Sequence, residues 1–284
     1  MVALILIMDN GPLVSVIITT KNEEGVIGRL IQSIKTQTFK NQEIILVDNH
    51  STDKTLDIAE KMNVKVYTVG PERSVQRNFG AKVAKGKYLL ILDADMELTP
   101  NVISECVQLV ESDKKAGEIV IPEKSLASNF WGKVKAFERS FYNKKGDELT
   151  DAARFFRKEV FFKAGGYDET ITGPEDWDLP ETIKELGYRV GRIKSEIYHY
   201  ERINSPFSLA SKKFYYARLA HRYLKKHNIP IISAKTIYFL RPVFYKNWRK
   251  ILLHPGLSLA MFFMLALELI GGGLGYITGR IKKA

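Results

Sequence analysis

Apolar runs rich in β-branched residues alternate with amphipathic stretches along the first 120 residues of the chain. The apolar runs predict buried strands, at Val14–Thr19, Glu43–Val47, Val64–Val69, Tyr88–Leu92 and Ile119–Ile121. Between them, helical spacing of apolar residues predicts helices, at Gly25–Thr36, Thr52–Met62, Val75–Ala84 and Pro100–Ser112. Thr99 stands at the expected N-cap of the last helix, with Pro100 at its first position. Alternating strands and helices indicate an α/β fold, in which a mostly parallel sheet has helices on both faces.

Three polar segments directly follow predicted strands, at the sheet edge where such folds bind ligands. They are Thr19–Glu23 after the first strand, Asp48–Asp53 after the second and Asp93–Asp95 after the fourth. Loops begin at strand ends and are often polar, but three such segments in one half of the sheet favour a nucleotide pocket. Neither G-x-G-x-x-G nor G-x-x-x-x-G-K-[ST] follows the first strand, so the sequence offers no Gly-rich loop for a phosphate there.

The Asp93-Ala94-Asp95 segment is a candidate metal site that would take the place of a Gly-rich loop. Residues two apart on an extended chain point the same way, so both carboxylates can face one ligand. Carboxylate oxygens suit Mg²⁺ or Mn²⁺ bridging a diphosphate, with water completing the shell. A D-x-D segment alone is usually a solvated turn. Its position directly after a buried strand favours the metal site in this chain.

These motifs resemble family 2 glycosyltransferases, which have the GT-A fold. The resemblance runs over about residues 12 to 204, through Val14–Glu24, Ile45–Asp53, Arg77–Asp95, Gly165–Glu169 and Gly173–Leu179. It implies a Rossmann-like sheet and sugar transfer from a nucleotide-diphosphate donor with inversion at the anomeric carbon. It also implies a catalytic domain over residues 1–204, with a nucleotide-sugar half at about 12–100 and an acceptor half at about 101–204.

The resemblance further implies which residues bind the donor: Thr19, Thr20, Asn22, Glu23, Asp48, Arg77, Asn78, Asp93, Ala94 and Asp95. Asp95 would hold the metal, and Asp93 would bind the ribose or the metal through water. The family often has a second acid where this chain has Asn49, and an aromatic residue where it has Lys21. Base contact is therefore assigned to Asp48, and the identity of the base stays open.

Bond cleavage leaves negative charge on the departing nucleoside diphosphate, which a metal held by Asp95 would stabilise. A single carboxylate that removes the proton of an acceptor hydroxyl increases the rate of transfer by ~10²–10⁴-fold. The resemblance implies that Asp176 is this base, beside Glu175, with Trp177 on the acceptor side. The same acids also suit a helix N-terminus, and Trp177 also suits a core. Arg77 would lie near the phosphates or form an ion pair on a helix surface.

His199 is a third candidate metal ligand, in the apolar stretch Ile197–Tyr200. A lone histidine in an apolar strand is more often a hydrogen-bonded core residue. In some relatives, however, a histidine near this position completes the metal site. The resemblance therefore favours His199 as a ligand together with Asp95 and Asp93.

Charge separates the C-terminal part from the rest of the chain. The 284 residues carry a net charge of +11, but residues 205–284 hold 14 basic residues against one acid, Glu268. The overall composition is that of a globular protein, and the one cysteine, Cys106, excludes a disulfide framework or a Cys-rich metal site. The apolar stretch Val2–Met8 is too short to span a membrane and lacks a signal peptide's features. We therefore expect the catalytic domain on the cytoplasmic side of the cell membrane.

Residues 205–250 have the pattern of a basic amphipathic juxtamembrane region. Ser208–His227 has helical spacing, with an aromatic and apolar face opposite a basic face. Such a helix suits an anionic membrane surface, although a surface helix packed on the domain also fits. Trp and Tyr beside Lys and Arg continue through Tyr245–Lys250, as at a membrane interface.

Residues 251–284 are predicted to form a C-terminal membrane helix, either spanning or embedded. Leu257–Ile277 contains 21 residues with one charge, and as a helix would be ~31 Å long. Glu268 would cost ~2–3 kcal/mol unpaired at mid-membrane, so we expect it to face protein. A glycine stripe, Gly271, Gly275 and Gly279, repeats a small-residue packing motif and predicts a helix–helix contact that would allow a homo-oligomer.

Together these features predict a membrane-associated, metal-dependent glycosyltransferase whose acceptor is a hydroxyl of a lipid-linked or cell-envelope glycan. A polyprenyl-phosphate sugar synthase is the alternative, although a phosphate is already ionised and needs no base such as Asp176. Two other classes of protein also fit the basic residues 205–284: a non-catalytic membrane scaffold and a basic nucleic-acid-binding protein. No nucleic-acid partner is expected, because the basic residues accompany a long apolar run and no nucleic-acid motif occurs.

Overall fold

The computed structural model describes residues 11–142, 147–148, 150–233 and 236–281, so Val2–Met8 lies outside the described residues. The strands are β1 (Val14–Thr20), β2 (Gln42–Asp48), β3 (Lys65–Thr68), β4 (Tyr88–Asp93), β5 (Met96–Leu98), β6 (Ala116–Val120), β7 (Glu123–Leu126), β8 (Arg154–Arg157), β9 (Arg189–Arg192) and β10 (Ile197–Tyr200). The α-helices are α1 (Ile27–Lys35), α2 (Thr55–Lys61), α3 (Arg73–Val83), α4 (Val102–Ser112), α5 (Phe130–Arg139), α6 (Lys158–Lys163), α7 (Glu175–Glu185), α8 (Pro206–Lys226), α9 (Pro242–Lys246), α10 (Trp248–Leu253) and α11 (Pro255–Ile281).

The main sheet has seven strands in the order β3-β2-β1-β4-β8-β6-β9. The first four are parallel, β8 is antiparallel to both of its neighbours, and β9 is parallel to β6. The register pairs Thr20 with Asp48 and Thr19 with Asp93, so the polar ends of β1, β2 and β4 meet at one edge. The five predicted strands and the mostly parallel sheet are confirmed.

Helices cover both faces of this sheet, as predicted. Alternate residues of β1 point to opposite faces, so Val16 packs in a core with α1 and α4, whereas Ile17 packs with α3, α6 and α7. The predicted start of α4 is wrong by two residues. The helix begins at Val102, and the Thr99 hydroxyl instead donates to the carbonyl of Glu196 at 2.7 Å.

A second, three-stranded sheet has the order β5-β10-β7 and was not predicted. Its strands are three or four residues long, and β10 pairs antiparallel to β5 and parallel to β7. The register places His199 opposite both Met96 and Ser125. This sheet therefore brings His199 beside the segment that follows β4.

The two long helices, α8 and α11, lie side by side and run in the same direction. Cβ atoms added to the glycine stripe would overlap successive backbone carbonyls of α8, those of Ala210, Phe214 and Arg218. The stripe therefore makes the helix–helix contact that its pattern predicts, but within one chain. The expectation that it binds a second copy is wrong, because α8 already covers it.

Other contacts hold α11 on the domain. Met261, Met264 and Leu265 pack with Val134 and Phe137 of α5. The carboxylate of Glu268 is buried, 3.2 Å from the Lys135 ammonium and 3.6 Å from that of Lys213, so the prediction that Glu268 faces protein is confirmed. Among the described residues, α11 is the one helix long and apolar enough to cross a membrane. Its outer face is exposed and apolar, with Leu259, Phe263, Ile270, Leu274 and Ile277.

Candidate active site

A cleft of about 790 Å³ opens beside the carboxyl end of β4, within the usual size of small-molecule sites. Asp93 and Asp95 line it from the end of β4, and His199 lines it from β10. Asp176 and Trp177 line it from the first turn of α7. The fold thus brings together the D-x-D motif, the candidate base and the histidine, which are far apart in the sequence.

Arg77 links the two sides of the cleft. It lies in α3, is completely buried, and donates to Asp93 Oδ1 at 3.0 Å and to Asp176 Oδ1 at 2.6 Å. The interpretation of Arg77 as a helix-surface ion pair is therefore wrong. Arg73, one helical turn earlier, lies 3.8 Å from Asp93 and 2.9 Å from Glu175. Two arginines thus hold the end of β4 against the start of α7.

These arginines also keep Asp93 ionised. Burial opposes the ionisation of the Asp93 carboxyl, but the charges of Arg77 and Arg73 outweigh burial and hold its pKa below the usual value. Ala94 is buried in the core between the two acids of the motif, so Asp93 and Asp95 both face the cleft. Asp93 faces the arginines, whereas Asp95 faces the second sheet.

His199 lies between two carboxylates. Its Nε2 is 3.5 Å from Asp95 Oδ1, and its Nδ1 is 2.7 Å from Glu123 Oε2. Burial would lower the pKa of His199, but Glu123 and Asp95 outweigh it and raise the pKa. Burial similarly opposes ionisation of Asp95, and His199 and Arg202 hold its pKa low. In a metal complex, a carboxylate on Nδ1 would leave Nε2 as the ligand.

The side chains around Asp95 and His199 show whether this part of the cleft fits a divalent ion. Within the described parts of the chain, no three His, Cys, Asp or Glu side chains are grouped closely enough to hold one by themselves. Asp95 and His199 offer one oxygen and one nitrogen ligand on the same side of the cleft. Such a pair fits Mn²⁺ or Mg²⁺ when diphosphate oxygens and water supply the other ligands. In this structure Asp93 pairs with Arg73 and Arg77, and its predicted contact with the ribose, or with the metal through water, stays a prediction.

The start of α7 depends on a glycine. Gly173 has a φ of 102°, and a Cβ there would come within 2.6 Å of the Tyr216 Cβ, so the loop packs closely on α8. Glu175, Asp176 and Asp178 form the first turn of α7, where acids favour the helix dipole. Glu175 is buried on Arg73. Trp177 packs edge-on against Tyr223 with ring centroids 6.0 Å apart and also lines the cleft.

The loops after β1 and β2 hold each other in place. The Thr20 hydroxyl donates to Asp48 Oδ1 at 2.8 Å, and the Ser51 amide donates to Asp48 Oδ2 at 2.7 Å. Thr19 is also buried, and the Asp48 side chain is completely buried. Asp48 therefore builds the loop in this structure, and its predicted contact with a nucleotide base stays a prediction.

Asn22 and Glu23 continue this loop toward the cleft. The Asn22 side-chain oxygen accepts from the Thr52 amide at 2.8 Å, which ties the two loops together. The Glu23 carboxylate accepts from Arg202 at 2.6 Å. Burial raises the pKa of Glu23, although Arg202 opposes the increase. Arg202 also lies 3.5 Å from Asp95, so it connects the first loop to the D-x-D motif.

Asn78 of α3 binds the loop that contains Tyr167. Its amide donates to the Tyr167 carbonyl and to Glu169, and its oxygen accepts from the Tyr167 amide at 2.9 Å. The polar atoms of Asn78 therefore hold this loop in the structure, and the predicted contact of Asn78 with the donor stays a prediction. A Cβ at Gly166 would lie 2.7 Å from Asn78 Oδ1, so the glycine permits this contact.

Sequence reasoning missed three charged residues of the site: Arg73, Glu123 and Arg202. Arg73 had a signal, because it precedes Arg77 by four residues and a helix places both on one face. Arg202 follows the His199 strand closely. Glu123 had no local signal, since it lies 76 residues before His199 and meets it only through the second sheet.

Comparisons with known proteins agree with this geometry. The family model for glycosyl transferase family 2 matches residues 15–163. A PGL/p-HBAD biosynthesis glycosyltransferase of Mycobacterium bovis is 30% identical over 180 residues, covering 59% of this chain and 68% of the relative. A UDP-Glc:alpha-D-GlcNAc-diphosphoundecaprenol beta-1,3-glucosyltransferase of Escherichia coli is 36% identical over 109 residues, covering 36% and 43%.

A solved structure shares the fold. The mannosyltransferase PcManGT from Pyrobaculum calidifontis, in complex with GDP-Man and Mn²⁺, superposes with a TM-score of 0.61. The superposition covers 95% of this chain and 86% of that one at 17% identity. The predicted GT-A architecture is confirmed by this likeness, which at such low identity concerns the fold alone.

Proposed function

The chain belongs to glycosyl transferase family 2, and from this premise we propose that it transfers a sugar from a nucleotide-diphosphate donor to a lipid-linked or cell-envelope glycan, with inversion at the anomeric carbon. The observation that carries the proposal is the Arg77 bridge, which joins Asp93 of the D-x-D motif to Asp176. A donor bound at the motif and an acceptor bound at α7 would thereby meet in one cleft. The name of the Escherichia coli relative, whose acceptor is an alpha-D-GlcNAc-diphosphoundecaprenol, supports a lipid-linked acceptor.

Asp95 and His199 are the residues that would hold Mn²⁺ or Mg²⁺. Glu123 supports this role, because a carboxylate on Nδ1 orients the imidazole and leaves Nε2 for the ion. The Mn²⁺ complex of the structural neighbour also supports it. When bound, such an ion supplies Lewis-acid stabilisation of the leaving diphosphate. The donor loops, with Thr20 and Asn22, would hold the nucleoside beside it.

Asp176 would accept the proton of the acceptor hydroxyl as the hydroxyl attacks the anomeric carbon. Arg77 binds Oδ1 of Asp176, which orients the carboxylate and leaves its second oxygen for the acceptor. Glu175 is held on Arg73 and would position the first turn of α7 rather than touch the acceptor. Trp177, next to Asp176 in the first turn of α7, would support the acceptor sugar from the same side of the cleft.

The outer face of α11 would attach the enzyme to the membrane, with the catalytic domain on the cytoplasmic side. A spanning α11 would take α8 with it, because the glycine stripe packs on the backbone of α8. Lys212 and Lys213 of α8, which lie in sequence between the residues that contact Gly271 and Gly275, would then enter the hydrocarbon region, where each costs about 2.5–3.5 kcal/mol. An α11 embedded along the membrane surface avoids that cost. The basic residues of 205–250 would then face anionic lipid headgroups.

The full chain in nanodiscs, given a panel of nucleotide-diphosphate sugars with Mn²⁺ and membrane lipid extract, tests the proposal. Asp176→Asn should lose about 10²–10⁴-fold in transfer and keep the thermal stabilisation by the donor. Asp57→Asn, an exposed acid of α2, is the matched control and should behave as wild type. Full activity of Asp176→Asn would overturn its role as base and favour a phosphate acceptor. Failure of every nucleotide sugar to stabilise the chain would overturn the proposed function.

A further inference from the structure

An apolar cavity of about 300 Å³ lies next to the cleft, between α8, α11, the loop before α7 and residues 231–232 and 236–239. Among the described residues that line it, most are aliphatic or aromatic, including Trp177, Tyr223, Leu224 and Leu265. The two charged ones, Lys213 and Glu268, pair with each other at 3.6 Å. Lys213 also donates to the Tyr238 hydroxyl at 2.6 Å. The walls therefore suit an apolar occupant and would not suit a sugar or a nucleotide.

The inner end of this apolar cavity reaches the acceptor side of the cleft. Five residues line both spaces: Gly173, Trp177, Lys213, Tyr216 and Tyr238. Trp177 adjoins Asp176, the candidate base. A molecule that fills the cavity can therefore extend its polar end into the cleft beside Asp176.

The outer end opens at the exposed apolar surface. Ile231, Ile232 and Leu269 line the cavity, yet 53%, 74% and 41% of their surfaces are exposed. Leu269 is next to Ile270 on the outer face of α11, the face proposed to lie in the membrane. Exposed apolar residues at the mouth of a cavity are costly in water and favourable in lipid. The cavity thus connects the proposed membrane face to the catalytic cleft.

We propose that the apolar cavity binds a hydrocarbon chain of the acceptor lipid, which enters from the membrane between α11 and residues 231–232. The bound hydrocarbon chain would hold the lipid so that the hydroxyl-bearing headgroup of the lipid lies beside Asp176. This inference rests on the proposed function and narrows its acceptor to a lipid with a long hydrocarbon chain. The paired charges of Lys213 and Glu268 mark where the apolar wall meets the polar cleft.

Gly272→Phe is the variant that fills the cavity. Gly272 lines the cavity, and a Cβ added there meets no atom within 4 Å, so the new ring can enter without moving a helix. Gly256→Phe is the matched control on the same helix. Its Cβ also meets no atom within 4 Å, and Gly256 is exposed and outside the cavity lining. Both variants add the same apolar ring to α11.

The probe is a long-chain alkyl glucoside with a diazirine near the end of its chain, photolysed with the full chain in nanodiscs. Peptide mass spectrometry should find adducts on cavity residues such as Trp177 and Tyr223. Gly272→Phe should reduce these adducts about tenfold, and Gly256→Phe should leave them unchanged. Equal labelling in the two variants, or adducts confined to outer-face residues such as Leu259 and Leu274, would overturn the inference.

A second readout separates this inference from the proposed function. Thermal stabilisation by nucleotide sugars reports the donor site alone, and Gly272→Phe should retain it. Retained stabilisation with unreduced labelling would overturn only the lipid cavity. No stabilisation of wild type by any nucleotide sugar would overturn the proposed function, and the labelling ratio of the two variants would still decide whether the cavity takes a hydrocarbon chain.

Discussion

Replacing Gly275 with alanine should loosen the contact between α8 and α11. The new methyl group would overlap the backbone carbonyl of Phe214, whereas ordinary contact requires 3.4–4 Å. A backbone carbonyl in a helix cannot rotate away, so the helices must separate by about 1 Å or more. Overpacking of this kind costs about 1–3 kcal/mol.

Gly272→Ala is the matched control, three residues earlier on the same helix. Alanine gains about 1 kcal/mol of helix propensity over glycine in both variants, so the propensity gain cancels in the comparison. The Cβ at Gly272 meets no atom within 4 Å and adds no overlap. The difference in the free energy of unfolding between the two variants, about 1–3 kcal/mol, therefore reports the α8–α11 contact.

Thermal unfolding of the full chain in detergent, followed by tryptophan fluorescence, measures this difference. For a chain of this size, about 2–4 °C of Tm per kcal/mol predicts that Gly275→Ala unfolds roughly 2–12 °C below Gly272→Ala. Light scattering should give the same particle mass for both variants. Equal Tm values, or a Gly275→Ala variant that changes particle mass at unchanged Tm, would refute the intramolecular contact.

Three further changes test the site and the core. Arg77→Met should lower the free energy of unfolding, measured in urea, by about 3–5 kcal/mol, because the largely buried carboxylates of Asp93 and Asp176 lose their partner. Arg189→Met, at an exposed ion pair, is the control and should lower it by under about 1 kcal/mol. Equal losses in the two variants would refute the Arg77 bridge. Burial raises the pKa of Glu118 to about 7. Between the ordinary Glu pKa and this value, the folded chain keeps a proton that the unfolded chain has lost. The free energy of unfolding should therefore fall as the pH rises through this range. Glu118→Gln should flatten this fall in Tm, and an unchanged pH profile would contradict the assignment. Glu123→Gln should weaken Mn²⁺ binding about 10–100-fold by calorimetry, and unchanged affinity would exclude His199 as a ligand oriented by Glu123.

The parallel half of the sheet was predictable because its strands are buried on both faces. Val14–Thr20 and Tyr88–Asp93 are almost continuous apolar runs, and such runs carry their own signal. The second sheet carried no such signal. Its strands are three or four residues long and contain charged residues such as Glu97 and Lys124, so only tertiary pairing defines them.

The candidate site was predictable where the chemistry lies within one short segment. Asp93, Asp95 and Asp176 stand in motifs with characteristic neighbours, and the structure brings them to one cleft. Contacts made across the fold were not predictable. Asn78 shows the limit, because its motif is local but its amide binds the Tyr167 loop 89 residues away. Spacing alone does not tell which way such a side chain points.

The C-terminal helix α11 is fixed to the rest of the described structure by specific contacts, which its apolar composition alone does not indicate. A helix that only anchored an enzyme would need no fixed contact with the catalytic domain. Here the glycine stripe packs on the backbone of α8, and Glu268 is buried between Lys135 and Lys213. The same helix supplies Leu269 and Gly272 to the apolar cavity. Under the lipid-cavity proposal, any change that shifts α11 must therefore alter membrane attachment and acceptor binding together. Binding of the donor at its proposed site around Asp95, on the far side of the Arg77 bridge, should be spared.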